Sequence, residues 1–261
     1  MNISLQHKNA LVGGSSGGIG KAIAQQLAAS GSNVTLMARN KEKLKLVLES
    51  LDTSLGQKHQ YLVVDFSDYE GYLQKITAYF KRNTIDILIN NTQGPAAGSA
   101  LEKKVMEYQE AFDLLFKTVV LTTELALPKM MQNQWGRIIN VASISVKEPL
   151  SYLALSNSIR ASLVTWAKSL ATDVGDKQIT VNSILTGYFN TERIVQLNEK
   201  KAEQLGISQD EVLADMKSKV PLKRIGDPKE YGYLVAFLAS DKASYINGTQ
   251  IPIDGGLLKS L

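Results

Sequence analysis

A doubly wound α/β fold with a mostly parallel, seven-stranded sheet and helices on both faces is what this 261-residue chain predicts. Two observations carry the prediction. Strand-like and helical runs alternate from end to end, and the strand runs are continuous apolar, β-branched stretches rather than alternating ones. Strands of that kind are covered on both faces, which is the situation in parallel βα arrays. No Pro/Gly/Ser-rich linker, charge block or internal repeat divides residues 1–261, so one domain is expected.

The strand candidates are residues 10–12, 34–37, 61–64, 85–89, 137–141, 180–185 and 250–253. A first helix runs from Lys21 to Ser30 and is stopped by Gly31. Ser67-Asp-Tyr-Glu70 reads as a capping box opening the helix after Asp65. A helix over 104–132 carries Leu114, Thr118, Leu121 and Leu125 at three- and four-residue spacing. Another is expected over 151–174. Residues 190–219 break the alternation: they are polar, helical and inserted before the last βα unit. They follow a strand carboxyl end, where open sheets bind ligands, so they read as a substrate lid.

Composition narrows the possible functions. Hydrophobic residues make up 44% of the chain, enough for a globular core. No apolar run is long enough for a bilayer, and no signal peptide opens the chain, so a cytoplasmic location is expected. Cysteine is absent, which excludes disulfides and thiolate metal sites. The only histidines, His7 and His59, have no metal-ligand spacing and read as exposed polar residues; no metal is expected. A net charge of +4 is mild and does not argue for nucleic acid.

The most informative segment is Gly14-Ser-Ser-Gly-Gly-Ile-Gly20, between the first strand and the first helix. Gly14 permits a tight turn, Gly18 lets backbone approach a ligand, and Gly20 lets helix pack close to strand. With Ser15, Ser16 and Ile19 between them, these residues place a helix N-terminus where its free N–H groups and partial positive charge hold a diphosphate.

The turn resembles the cofactor turn of the short-chain dehydrogenase/reductase family. Asn90-Asn91, Asn140-Val-Ala-Ser143, Val181-Asn182 and Ile253-Asp-Gly-Gly256 resemble that family's later motifs, in order and spacing. Pro221-Leu-Lys-Arg-Ile-Gly226 through Ser244-Tyr-Ile-Asn-Gly248 resembles bacterial oxoacyl-carrier-protein reductases. The resemblance implies a Rossmann-type sheet and reduction of a carbonyl by a nicotinamide cofactor. It also implies a homotetramer paired through the fourth and fifth helices and the last strand. Leu114, Val119, Leu163 and Trp166 are apolar positions hard to satisfy within one helix layer and so candidates for that contact.

Cofactor choice follows from the end of the second strand. Ala38 stands where an acidic residue would bind the ribose hydroxyls of NAD, and Arg39 follows. A guanidinium grips a 2′-phosphate, with Ser15 and Ser16 as further donors, so NADPH is expected over NADH. By resemblance Asp65 meets the adenine, with Phe66 beside it; Asp65 also reads as a helix-entry residue. Asn90 and Asn91 continue into Thr92-Gln93-Gly94, with Gln93 an extra residue relative to the family turn. Thr186-Gly187 replaces the family's Pro-Gly beside the nicotinamide, with Phe189 close behind.

The catalytic positions depart from the pattern. Ser143 matches the family's carbonyl-orienting serine. Thirteen residues later, where the family has its proton-donating Tyr, stands Ser156, and four further on Arg160 replaces Lys. Leu115 takes the place of the relay Asn. Val146-Lys-Glu-Pro149 with Leu155-Ser-Asn157 resembles a divergent branch that lacks the Tyr. Ser156 and Arg160 lie four apart on one helix face and can address one site. Arg160 reads either as a group that binds an anion or polarises a carbonyl, or as a surface ion pair. Tyr152 and Tyr188 are alternative proton donors. Two functions stay open: reduction of an oxoacyl or keto-acid carbonyl, thioester or anionic, and a nucleotide-binding sensor or partner subunit without turnover.

Overall fold

The computed structural model describes residues 2–260, except for the Gln204 side chain. Its strands are β1 (Asn9–Gly13), β2 (Asn33–Ala38), β3 (Gln60–Val63), β4 (Ile87–Asn90), β5 (Gly136–Val141), β6 (Ile179–Thr186) and β7 (Gln250–Ile253). They form one sheet in the order β3-β2-β1-β4-β5-β6-β7, every neighbouring pair parallel. The order reverses direction between β1 and β4, which opens a crevice at the carboxyl ends of those two strands.

Side-chain alternation sorts the sheet into two faces. Ala10 and Val12 of β1 point into a core with helices α1 (Gly18–Ala29), α2 (Lys41–Glu49) and α9 (Pro228–Ala239). Leu11 points the other way, into a core with α3 (Tyr69–Phe80), α4 (Val105–Phe112), α5 (Thr118–Asn133) and α6 (Ala154–Asp173). Leu11, Val12, Leu36, Leu88 and Val181 are fully buried, as expected of strands sandwiched between helix layers. Removing such a side chain costs about 2–5 kcal/mol.

Several local expectations need correction. The cap of α3 is Asp68, which accepts the Gly71 N–H at 3.0 Å, not Ser67; the Ser67 hydroxyl instead donates to Asp65. The helix expected from 151 begins at Ala154. The one expected over 104–132 is interrupted by a π-turn at Asp113–Lys117, which separates α4 from α5. Such turns insert an extra residue and re-aim the side chains that follow. His59 is half-buried and structural. Its Nδ1 accepts the Val34 N–H, and its Nε2 faces the Asp52 carbonyl and carries the proton. Leu114, Val119 and Leu163 are buried within the chain itself, so they are not free to pair with a second copy.

Residues 190–219 are helical, as two helices, α7 (Glu192–Leu205) and α8 (Gln209–Lys219). Asp215 ties them by pairing with both Lys201 and Lys219. Their stem is zipped: the Asn190 N–H donates to Gly226, and the Gly226 N–H donates to Tyr188. Gly226 lies flush on the Phe189 ring, where an added Cβ would come within 2.6 Å. No helix among the described residues is long and apolar enough to cross a membrane.

Candidate active site

The site gathers at the carboxyl edge of the sheet. At the end of β1 the chain turns through Gly14, whose φ of +56° lies in the left-handed region that favours glycine. Gly20 sits against this turn: a Cβ there would lie 2.2 Å from the Gly14 carbonyl oxygen. Asn91 fastens the arrangement by donating from Nδ2 to the Gly13 carbonyl at 3.0 Å. Helix α1 therefore starts at the crevice, and its N-cap, Gly17, places no side chain over the free N–H groups. Ser16, Gly18 and Ile19 are half-buried around it. This is a cradle for an anion, with backbone where side chains would obstruct.

Two residues expected to meet the cofactor face inward. Ser15 is fully buried, and its Oγ accepts the Met37 N–H at 2.8 Å, latching the turn to β2. Asn90 is buried, and its Nδ2 donates to Asn140 and Thr123, joining β4 to β5 and α5. Both shape the crevice from beneath. Arg39 is exposed just beyond β2, within electrostatic reach of Asp65. Hydrogen bonds from Ser67, and then the Arg39 and Lys75 charges, hold the Asp65 carboxyl below its usual range. One Asp65 oxygen is thus occupied by Ser67, consistent with a helix-entry role. Phe66 is buried against Tyr72, ring centroids 5.3 Å apart, and lines the crevice with Asn91.

On the other side of the crevice, Ser143 ends the β5 segment half-buried. Its Oγ accepts the Ser145 N–H at 3.1 Å, so it caps the short 3-10 turn that follows while its own proton stays available. Ser156 and Arg160 lie one turn apart at the start of α6, each 9% exposed. Arg160 is not a surface ion pair. Its Nη1 donates to the Val141 carbonyl at the end of β5, and no acid pairs with it among the described residues. Burial pulls its pKa down to about 10, with Tyr231 opposing and Arg193 assisting, so it remains a cation at neutral pH. Leu115 is buried inside the π-turn.

Tyr152 and Tyr188 come together at the mouth of the site. Burial, and then the neighbouring Tyr188, push the Tyr152 phenol up to about 12. Thr186, at the end of β6, shares a hydrogen bond of 3.1 Å with the hydroxyl of Tyr231 on α9. Gly187 lies flush on Asp254, leaving no room for a side chain. Phe189 is buried edge-on against Tyr231.

Three site residues escape sequence reasoning. Tyr231 is fully buried between Thr186 and Arg160, brought there only by the packing of α9. Thr191 caps α7 and rests its methyl over Gly18, which a Cβ would approach to 3.3 Å. Arg193, in the first turn of α7, donates from Nη2 to the Pro95 carbonyl at 2.9 Å. Their neighbour Glu192 reaches Lys43 of α2 at 3.0 Å. Thr191, Glu192 and Arg193 thus span the crevice from the glycine turn to the loop after β4. Among the described residues no His, Asp and Glu side chains group as a metal site.

Fold and site together define a short-chain dehydrogenase/reductase, and the chain belongs to that family: the family model described as Enoyl-(Acyl carrier protein) reductase matches residues 14–258. Similar proteins include the 3-oxoacyl-[acyl-carrier-protein] reductase FabG of Rickettsia conorii. It is 34% identical over 98% of this chain and 99% of its own length. The NADPH-dependent reductase BacG of Bacillus subtilis is 32% identical over 98% of this chain and 100% of its own. Among solved structures, L-sorbose reductase from Gluconobacter frateurii, complexed with NADPH and L-sorbose, superposes with a TM-score of 0.92. It is 30% identical, and the match covers 100% of both chains.

Proposed function

We propose that this chain is an NADPH-dependent reductase of an oxoacyl or keto-acid carbonyl, working with a proton donor other than the family's tyrosine. The observation that carries the reading is the shared edge. The side-chain-free N-terminus of α1 and the Ser143–Ser156–Arg160 cluster open on the same carboxyl ends of the sheet. The NADPH dependence of BacG and the NADPH in the sorbose reductase complex support the same cofactor here.

The residues present fit that cofactor. The backbone of Gly14, Ser16, Gly18, Ile19 and Gly20 receives the diphosphate, where the close Gly14–Gly20 contact excludes any Cβ. Arg39 reads the 2′-phosphate. Asp65 and Phe66 flank the adenine, and Asn91, Thr186, Gly187 and Phe189 frame the nicotinamide end. Ser15 and Asn90 support this frame from within. When bound, NADPH supplies the hydride.

The chain's own work is positional and electrostatic. The Ser143 hydroxyl orients the carbonyl oxygen, and Arg160 stabilises the negative charge that grows on it. A guanidinium does not surrender a proton near neutrality. The alkoxide therefore takes its proton from a hydroxyl of the cluster (Ser143, Ser156, Tyr152 or Tyr188) or from water. General acid catalysis is worth about 10²–10⁴-fold, so its relocation slows the reaction without abolishing it. Residues 190–219 act as the lid of a single 1–261 domain.

Steady NADPH oxidation by the purified chain, over oxoacyl thioesters and keto acids, tests this reading. Cofactor binding with no turnover of any carbonyl would favour a sensor or partner subunit instead.

A further inference from the structure

The segment after β7 folds back onto the turn that carries Ser143, and Glu148 holds it there. Beyond Ile253 the chain reverses through Gly255 and Gly256, whose φ angles of +67° and +85° favour glycine. Asp254 fixes the reversal: its Oδ1 accepts the Gly256 N–H at 2.9 Å and its Oδ2 the Leu258 N–H at 2.8 Å. Leu257 and Leu258 then pack against a small core that contains both chain neighbours of Ser143, Ala142 and Ile144, together with Val164 and Leu185. One carboxylate oxygen of Glu148, Oε1, accepts the backbone N–H groups of both Lys259 and Ser260, each at 2.8 Å. Those two bonds hold the Glu148 carboxyl below its usual range, so it is charged at neutral pH.

Ser143 is thus set between two buried residues of that core, and its Oγ accepts the Ser145 N–H within the same turn. Further along, the Tyr152 carbonyl accepts the Gly98 N–H at 2.7 Å, and the Ala154 N–H donates to the Gly98 carbonyl at 3.1 Å. The loop between β5 and α6 is therefore pinned at its far end by Gly98 and near its middle by Glu148. Residues 257–260 have no regular secondary structure to hold them in place. A carboxylate that takes two of their N–H groups is a charge-assisted anchor. We propose that Glu148 is a positioning residue: by holding residues 259 and 260 it seats Leu257 and Leu258 against the Ser143 turn and fixes where the Ser143 hydroxyl points. The inference rests on the carbonyl-reductase reading for the role of Ser143, and adds to it a residue that touches neither substrate nor cofactor. A hydroxyl that orients a carbonyl is effective only when held close to its productive geometry. Loosening the turn therefore lowers kcat more than it alters cofactor binding.

Two measurements on the full chain test this. The first, amide hydrogen exchange, needs no turnover. In Glu148→Ala the Lys259 and Ser260 amides should exchange faster, and so should the Ser145 amide, which reports on the Ser143 Oγ it bonds. The change should be roughly threefold to tenfold, the scale of one hydrogen bond. Glu148→Gln, which keeps a carbonyl acceptor, should restore part of the protection. The Gly71 amide, at the remote cap of α3, should not change. Faster exchange at Lys259 and Ser260 with Ser145 unchanged would overturn the proposal, as would unchanged exchange at all three. The second measurement is a double-mutant cycle on NADPH-dependent carbonyl reduction. Glu148→Ala should lower kcat by roughly threefold to tenfold, with NADPH affinity within about twofold. On a Ser143→Ala background the same substitution should lower kcat no further, because residues that act as one unit are not additive. An equal loss on both backgrounds would separate Glu148 from Ser143 and overturn the proposal. Should no carbonyl consume NADPH, the reductase reading fails by itself, and exchange at Ser145 still decides whether Glu148 places the Ser143 turn.

Discussion

Arg160 donates from Nη1 to the carbonyl oxygen of Val141, so a cation borne on α6 ends at the carboxyl tip of β5. The contact satisfies one donor but leaves the charge without an acid. An unpaired buried charge costs folding energy and is retained for another use. Arg160→Met should therefore leave the melting temperature unchanged or raise it. Turnover should fall by about 10²-fold or more, the usual cost of removing a preorganised oxyanion donor. Thermal denaturation and steady-state rates on the same preparation check both halves. Destabilisation with unchanged turnover would make Arg160 structural.

Arg39 is exposed beside an end of β2 that carries Ala38 in place of an acid. Arg39→Ala should weaken NADPH binding by about 1.5–3 kcal/mol, the range for a hydrogen bond to a charged group. NADH binding should hardly change. Fluorescence titration of both cofactors measures the difference, and equal losses would remove Arg39 from the 2′-phosphate.

The glycine turn and the strands were legible in the sequence, because each depends on residues near one another in the chain. Continuous apolar runs mark parallel strands, and Gly14, Gly18 and Gly20 announce a backbone that must come close. The unreadable parts depend on packing. Nothing in its sequence neighbourhood marks Tyr231 as the residue that meets both Thr186 and Arg160. Arg193 is one cation on a polar helix until α7 folds back onto the loop carrying Pro95. Leu114 and Leu163 look surplus on a helix wheel, yet the π-turn and the α4–α6 packing bury them. Ser67 and Asp68 are both good caps, and only the turn geometry selects between them.

Assembly can be restated on the surface the structure leaves open. Leu101, Val105 and Met106 are exposed on the α4 side, and Phe112 at the end of α4 stacks on Phe116 of the π-turn at 5.0 Å. A contiguous exposed apolar patch of this kind marks a contact surface. A homotetramer of closed symmetry is expected. Light scattering at micromolar concentration should give four times the chain mass, and Phe112→Glu should give a smaller species. A monomer before substitution would contradict this.

The stem of α7 and α8 leads into an acid-sensitive pair. Arg224 grips Glu230 through both Nη groups at 2.6 and 2.7 Å. That contact, then the Asp227 N–H, pulls the Glu230 carboxyl down to about 2 from 4.5. A depressed carboxylate stabilises the fold above its unfolded pKa, and that contribution fades as pH falls from about 4.5 towards 2. Because the pair is solvated, Glu230→Gln should cost only about 0.2–1 kcal/mol at neutral pH. Denaturant melts at pH 7 and pH 2.5 should show the gap between the two proteins closing in acid. A constant gap would mean the side chain acts by packing alone.

The most direct test of the account is the rate of NADPH oxidation at 340 nm by the unaltered chain and by Ser143→Ala and Arg160→Met, over keto acids and oxoacyl thioesters, with NADPH affinity measured in parallel. The account predicts multiple turnovers of at least one carbonyl by the unaltered chain. It predicts a loss of about 10²-fold or more in each variant, and cofactor affinity nearly unchanged. Tight NADPH binding with no carbonyl turned over, or turnover indifferent to both substitutions, would contradict it.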